Sequence, residues 1–262
     1  MVATPAKLAL SSILTPQHVA DFHRDGFVVV PAMFAADEMR QITAWIDEVQ
    51  DYPEVPGRYM MYFEESLVAP GARILQRVEN IYPYHRDLAA LFDGDRLRGA
   101  AGELFGEPAI LFKEKINFKL PGGDGFKPHQ DQQAGWWNYA ELFITALLSI
   151  DEATPENGCI DIAAGHHKRG LIGGEWTPLG ERDLADMEMK RCPTMPGDVV
   201  FFDSYTPHGS GPNLTDQPRR VLYLTYNQDF DGDHRARYYA DKRKSFPPDI
   251  ERDPEKEYKF RV

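Results

Sequence analysis

Three residues of this chain have the types and spacing to hold a transition metal: His129 and Asp131, separated by Gln130, and His208 much further on. Two neutral imidazoles and one carboxylate occupy one face of an octahedron and leave three adjacent positions open, as a non-heme ferrous site requires. A His-x-acid pair alone carries little weight in a chain with 8 histidines and 41 acidic residues. Three such pairs occur: His23-Arg24-Asp25, His85-Arg86-Asp87 and His129-Gln130-Asp131.

Backbone context separates them. On a helix, residues two apart point about 200° away from each other; on a strand they share a face. His23 falls at the end of one expected helix and His85 at the start of another, so both are read as surface or packing residues. His129 follows a glycine-rich turn and Lys127-Pro128, where proline biases its predecessor away from helix. An extended backbone there aims His129 and Asp131 at one ion. His85-Arg86-Asp87-Leu88 also imitates a kinase catalytic loop, but the glycine-rich loop and Asp-Phe-Gly that would accompany it are missing. His208 follows Pro207 and an apolar run from Val199 to Phe202, which again favours an extended approach.

The elements that must position these residues fall into two textures. Thr15-Pro16 opens a helix running to about Asp25. Phe27 to Val30 reads as a strand, and Ala35 to Val49 as an amphipathic helix with Met39, Ile42, Trp45, Ile46 and Val49 at helical spacing. Further helices are expected at Leu88–Phe92 and Asp95–Leu104. From about Ala109, short apolar or alternating runs follow: Ile110–Leu120, Phe143–Ile150, Cys159–Ile162, Val199–Phe202 and Val221–Tyr226. Pro/Gly/Asn turns separate them. This spacing predicts a β-sandwich or barrel, buttressed on one side by the N-terminal helices. One domain over 1–262 is expected: a helix-rich part at 1–105, a barrel with the metal site at 106–230, and a surface-wrapping segment at 231–262.

Composition bounds the rest. The 262 residues carry a net charge of −12, which argues against a broad phosphate-binding face for nucleic acid while leaving room for a small basic pocket. The two cysteines, Cys159 and Cys192, are read as thiols in a reducing compartment. The apolar run Leu8–Leu14 is too short and too interrupted for a signal peptide, and Phe260-Arg261-Val262 carries no evident address. No run approaches the roughly 20 residues that span a bilayer. A cytoplasmic protein of undetermined oligomeric state is expected.

Beyond His208 the chain continues as Gly209-Ser210-Gly211-Pro212-Asn213-Leu214-Thr215, and then Arg219-Arg220-Val221-Leu222-Tyr223. That stretch resembles the C-terminal signature of the phytanoyl-CoA dioxygenase family. Asn157-Gly158-Cys159-Ile160-Asp161 with Gly165-His166-His167, and Pro196-Gly197-Asp198 entering the Val199 strand, resemble two further motifs of that family, in order. The resemblance covers nearly half the chain. It departs from the pattern at Ala164 and His166, where the family often has proline and serine.

The resemblance implies a mainly β fold, a double-stranded β-helix (a jelly-roll, cupin-like barrel). It implies an Fe(II)- and 2-oxoglutarate-dependent dioxygenase that takes O2, oxidises a small-molecule metabolite, usually by hydroxylation, and releases succinate and CO2. His129, Asp131 and His208 take the places of the iron ligands. Arg219, eleven positions after His208, takes the place of the arginine that pairs with the far carboxylate of 2-oxoglutarate, which a planar guanidinium suits better than an ammonium. Ser210 resembles the hydroxyl that shares that carboxylate, and Arg220 is expected on the opposite, surface face. Asp131 favours hydroxylation, since relatives that halogenate lack this carboxylate. Lys113, Lys115 and Asn117 alternate along one strand; they form either a pocket wall, with Asn117 touching 2-oxoglutarate, or a solvated face. Lys127, Gln132, Gln133, Trp136 and Trp137 flank the metal motif and are expected over the metal as substrate contacts, at least one tryptophan serving as packing. With Arg169, the lysines point to an anionic group on the substrate. A non-catalytic jelly-roll binding protein and a hydroxylase of a protein side chain are the competing readings.

Overall fold

A computed structural model describes residues 12–258. The Leu8–Leu14 run lies mostly outside them, and Phe260-Arg261-Val262 wholly so.

The N-terminal third follows local sequence closely. Helix α1 (Pro16–Asp25) is capped by Thr15, whose Oγ1 accepts the His18 amide at 3.1 Å. It stops at Gly26, which adopts φ 81°; a Cβ there would also lie 2.5 Å from the His167 ring, so the position requires glycine twice over. Strand β1 (Phe27–Val30) and helix α2 (Ala36–Gln50) follow. Next come β2 (Met60–Glu65) and β3 (Arg73–Glu79), then α3 (Arg86–Phe92), a π-helical turn at Asp95–Gly99 and α4 (Ala100–Phe105).

The barrel strands are β4 (Ala109–Asn117), β5 (Phe126–His129), β6 (Ile144–Ser149), β7 (Ile160–Ala163), β8 (Met189–Cys192), β9 (Val199–Asp203), β10 (His208–Ser210) and β11 (Val221–Gln228). They form a seven-stranded sheet in the order β1-β9-β6-β11-β4-β3-β2 and a four-stranded sheet in the order β5-β10-β7-β8, every pairing antiparallel. This is the jelly-roll expected from the sequence. Strand alternation gives the large sheet two working faces. Ile116, Ile144, Leu148, Val199, Phe201, Leu222 and Leu224 point outward and pack with α1 to α4 in the main core. Leu147, Val200, Phe202 and Val221 point inward, against Ile160 and Ile162 of the small sheet.

The C-terminal segment corrects one expectation. It does not merely wrap the surface. Helix α5 (Arg235–Ser245) buries Tyr238 and Tyr239 against Phe112, Trp136 and Phe143. Arg235 grips the fully buried Glu114 of β4 at 2.8 and 3.0 Å, and the Tyr239 hydroxyl donates to the Glu114 carbonyl at 2.6 Å. Six of its eleven residues are charged, and it has no apolar stripe to announce it. No helix among the described residues is long and apolar enough to cross a membrane.

Candidate active site

Strands β5 and β10 pair so that His129 faces His208 directly. Each follows a proline, and each ring turns its Nδ1 back to the carbonyl two residues earlier: His129 to Lys127 at 2.8 Å, His208 to Thr206 at 3.0 Å. A neutral ring donates from Nδ1 to such a carbonyl and therefore presents the Nε2 lone pair. Burial, reinforced for His129 by the facing His208, keeps both rings neutral; the His129 ring is pushed down to about 3. Each Nε2 stands 3.9 Å from Asp131 Oδ1, and the three donor atoms lie within 4.8 Å of one another. One ion about 2 Å from each donor fits that spacing. Burial opposes ionisation of Asp131, but the charged groups around it, Lys115 and Lys113 among them, outweigh it and hold its carboxyl below the ordinary range. Its Oδ2 accepts from Thr145 Oγ1 at 3.3 Å, and Thr145 is joined to Thr225 at 2.9 Å.

A narrow arm leads from the triad between the sheets, lined by Asn117, Phe126, Ile160, Ser210 and Tyr223. Beyond Tyr223 lies Arg219, 2% exposed and bonded to the tyrosine side chain. Its Nη2 donates to the Gly158 carbonyl at 2.6 Å, and its Nε has no partner. Among the described residues no carboxylate pairs with Arg219. Leaving a buried charge uncompensated costs several kcal/mol, so the arm is built for an anion that the chain does not supply. Asn117 Oδ1 is likewise buried without a partner. The orphaned Arg219 Nε, a donor, fits the far carboxylate of a 2-oxo diacid.

On its other side the triad opens into a chamber of about 570 Å³. Arg77, Glu79, Lys113, Lys115, Trp136, Tyr238 and Lys242 help to line it. The inward face of β4 thus forms a pocket wall, and solvation does not explain its alternating charge. Glu79 is fully buried, bonded to Arg77 Nε at 2.7 Å and to Lys242 Nζ at 2.5 Å. Burial alone would raise its carboxyl; Lys242, Lys113 and Arg77 hold it below the ordinary carboxylate range. Tyr238, Lys242, Arg77 and Glu79 carried no signal in the sequence, because nothing local ties α5 or β3 to the metal motif.

Several expected contacts lie elsewhere. Lys127 is exposed and lines neither space, because the strand alternates outward at that position. Gln132 and Gln133 are buried as splints: Gln132 Nε2 donates to the Glu141 carbonyl at 2.8 Å, and Gln133 Nε2 to those of Gly174 and Thr177. With Gln130, which bonds the carbonyls of Gly170 and Tyr205, they fix the loop carrying Asp131. Trp137 is 57% exposed and donates to Glu175 on the rim, while Trp136 lines the chamber. Arg169 is held on the surface by Asp186. Arg220 is not a surface charge: it is buried in a bidentate pair with Asp151 and also bonds Asp47.

A jelly-roll with two imidazoles and one carboxylate converging inside it, beside a buried arginine awaiting a counter-ion, defines a non-heme iron oxygenase with a dicarboxylate cosubstrate. The chain belongs to the phytanoyl-CoA dioxygenase (PhyH) family, whose model matches residues 22–221. It is 39% identical to the methylphosphonate hydroxylase of Gimesia maris over 238 residues, covering 90% of each chain. It is 38% identical to the 2-aminoethylphosphonate dioxygenase of an uncultured bacterium, HF130_AEPn_1, over 250 residues and 94% of each chain. In fold it is similar to the crystal structure of EctD from S. alaskensis with 2-oxoglutarate and 5-hydroxyectoine, with a TM-score of 0.71 and 22% identity over 84% of this chain and 78% of that one. The protein is an Fe(II)- and 2-oxoglutarate-dependent dioxygenase of a small molecule.

When bound, the ferrous ion and 2-oxoglutarate supply dioxygen activation, with succinate and CO2 released as the substrate is oxidised. The protein holds the donor set through the two histidine–carbonyl bonds and Thr145. Trp136 and Tyr238, backed by the buried Phe112 and Phe143, give the chamber side of the metal an apolar wall next to its cations.

Proposed function

We propose that this enzyme hydroxylates a small phosphonate, with its anionic head group held in the chamber by Lys113 and Lys115. One observation carries the reading: two ammonium groups line both the chamber and the entrance to the arm, and neither pairs with a carboxylate among the described residues. Lys113 Nζ donates to the Tyr238 hydroxyl at 3.0 Å, and Lys115 Nζ sits 4.7 Å from the Tyr223 ring centre. Glu79 is already taken by Arg77 and Lys242. The remaining positive charge suits a phosphonate, whose three oxygens carry up to two negative charges, and the two relatives named for phosphonates point the same way.

Arg219, Ser210 and Asn117 would take 2-oxoglutarate in the arm, leaving the chamber for the substrate. The free thiols Cys159 and Cys192 fit a reducing cytoplasm, and the net charge of −12 fits an enzyme that works without nucleic acid.

The test is succinate release with methylphosphonate and 2-aminoethylphosphonate, against ectoine and the matching carboxylic acids. Turnover is expected with a phosphonate, and Lys113→Met should raise its KM on the order of tenfold or more while 2-oxoglutarate affinity stays the same. Succinate release no higher with any phosphonate than without substrate would refute the reading, as would an unchanged phosphonate KM in the variant.

A further inference from the structure

We propose that Lys119 is a positioning residue for 2-oxoglutarate: its ammonium fixes the Ser210 hydroxyl as a donor into the arm and adds a second positive charge behind the far carboxylate. This rests on placing that carboxylate at Arg219 and Ser210.

Lys119 is 2% exposed, and its Nζ lies 2.7 Å from Ser210 Oγ and 2.5 Å from the Gly211 carbonyl. An ammonium has donors only, whereas a hydroxyl both donates and accepts. While Lys119 is protonated, the Lys119–Ser210 bond therefore has one polarity, with Ser210 accepting, and the hydroxyl hydrogen of Ser210 is left for another partner. Ser210 lines the arm beside Asn117 and Tyr223, so that hydrogen is available to a carboxylate entering there. A serine without the lysine would be free to turn either way.

The chain goes to some trouble to put the lysine there. Lys119 adopts φ 29°, a left-handed conformation that costs a non-glycine residue about 1 kcal/mol or more. The turn is held through its own carbonyl, which accepts from the Arg219 amide at 3.2 Å and from Asn213 Nδ2 at 2.9 Å. One residue thus anchors the backbone of Arg219 and the side chain of Ser210 together. Gly158 makes the space: a Cβ there would lie 3.1 Å from Lys119 Nζ and 2.2 Å from the Gly211 carbonyl oxygen. The Gly158 carbonyl is also the acceptor for Arg219.

The charge balance points the same way. Among the described residues neither Lys119 nor Arg219 has a carboxylate within ion-pair distance; Glu64, Asp124 and Asp161 act on Lys119 only from further off. Burial, followed by repulsion from Arg219, pushes the ammonium down to about 6 in the free protein, and a carboxylate entering the arm favours the protonated, donor-only form again. Two buried cations side by side repel each other in the free protein. A carboxylate placed between them and the metal would relieve both.

Binding can be read without turnover, with Mn(II) in place of iron. Calorimetry would compare 2-oxoglutarate with 2-oxovalerate, which lacks the far carboxylate, on wild type, Lys119→Met, Ser210→Ala, the double variant and Arg219→Met. Lys119→Met should weaken 2-oxoglutarate tenfold or more and 2-oxovalerate less than twofold, and the double variant should bind no worse than the weaker single one. Unfolding of ligand-free Lys119→Met, measured at pH 5.5 where the lysine is charged, should occur at or above the wild-type temperature, since a buried uncompensated charge has been removed. Lys119→Gln, which keeps a donor on a shorter stem, is the second variant should Met fold poorly, and it should recover part of the affinity. Equal weakening of both ligands, or unchanged 2-oxoglutarate affinity alongside a large loss in Arg219→Met, would overturn the role of Lys119 alone. Unchanged affinity in Arg219→Met would overturn the placement of the carboxylate and the proposal with it.

Discussion

His129 and His208 stand opposite each other on adjacent antiparallel strands, ring centroids 4.4 Å apart, each anchored through Nδ1 to the carbonyl just before its own proline. The same local device, built at two distant points in the chain, gives two imidazoles with matching tautomers. Both Nε2 atoms are thereby delivered to the one carboxylate of Asp131.

Replacing either histidine should therefore remove metal binding and turnover together. His129→Ala is expected to show no succinate release and no ferrous binding by calorimetry. His85→Ala is the control. Its Nδ1 accepts the Leu88 amide at 3.1 Å and caps α3, so that variant should lose about 1 kcal/mol of stability and keep its activity. Full activity in His129→Ala would exclude this metal site.

Lys115 ties substrate affinity to pH. Burial and then Lys113 bring its ammonium down to about 8, with Arg77 acting alongside Lys113 and with Asp131 and Glu79 opposing. A lysine lowered in this way loses its positive charge as pH rises through about 8. The KM for an anionic substrate should then climb above that pH, by up to about tenfold per pH unit if only the charged form binds. Lys115→Arg, charged throughout, should flatten the profile; superimposable profiles would remove Lys115 from substrate binding.

Asp203 ties stability to pH with the opposite consequence to that of most carboxylates. Burial raises it to about 6, against one opposing bond from the Tyr205 amide at 2.7 Å. A carboxyl raised on folding penalises the native state once ionised: the penalty is absent below the unfolded value, near 4, and complete above about 6. Asp203→Asn keeps the acceptor and removes the charge. At pH 8 it should be more stable by about 2 kcal/mol, and by nothing at pH 3.5, as measured by urea unfolding. A stability gap independent of pH would contradict the assignment.

Arg219 and Arg220 should separate binding from stability. Arg220→Ala strips Asp151 of a bidentate partner in a largely buried pair and should cost about 3 kcal/mol with 2-oxoglutarate affinity intact. Arg219→Met should do the reverse: little or no loss of stability, and severe loss of cosubstrate binding. Equal unfolding midpoints for Arg220→Ala and wild type would show that the ion pair contributes nothing.

Much of the site was legible in the sequence because its geometry is local. Residues two apart share a face on extended backbone, so His129-Gln130-Asp131 after a proline stands out from the two helical His-x-Asp pairs. The same alternation puts Lys113, Lys115 and Asn117 on one wall of β4, and it sends Arg219 and Arg220 to opposite sides. Local patterns likewise mark α1, β1, α2 and the apolar strands. Whether the charged face of β4 looks onto water or into a cavity is decided by what lies over it, Phe126 of β5 and Tyr238 and Lys242 of α5. Arg77, Glu79 and Lys242 reach the chamber only because β3 joins the sheet edge and α5 folds back over it, held by Arg235 on Glu114. Gln132 and Gln133 sit beside the metal motif in sequence, but their side-chain N–H groups are taken by loop carbonyls further along the chain. The chain alone thus determined the ligands, their period and the strand that carries them. Which cations face the substrate, and which are cancelled by a buried acid, depended on long-range packing, because charge compensation is a property of neighbours in space.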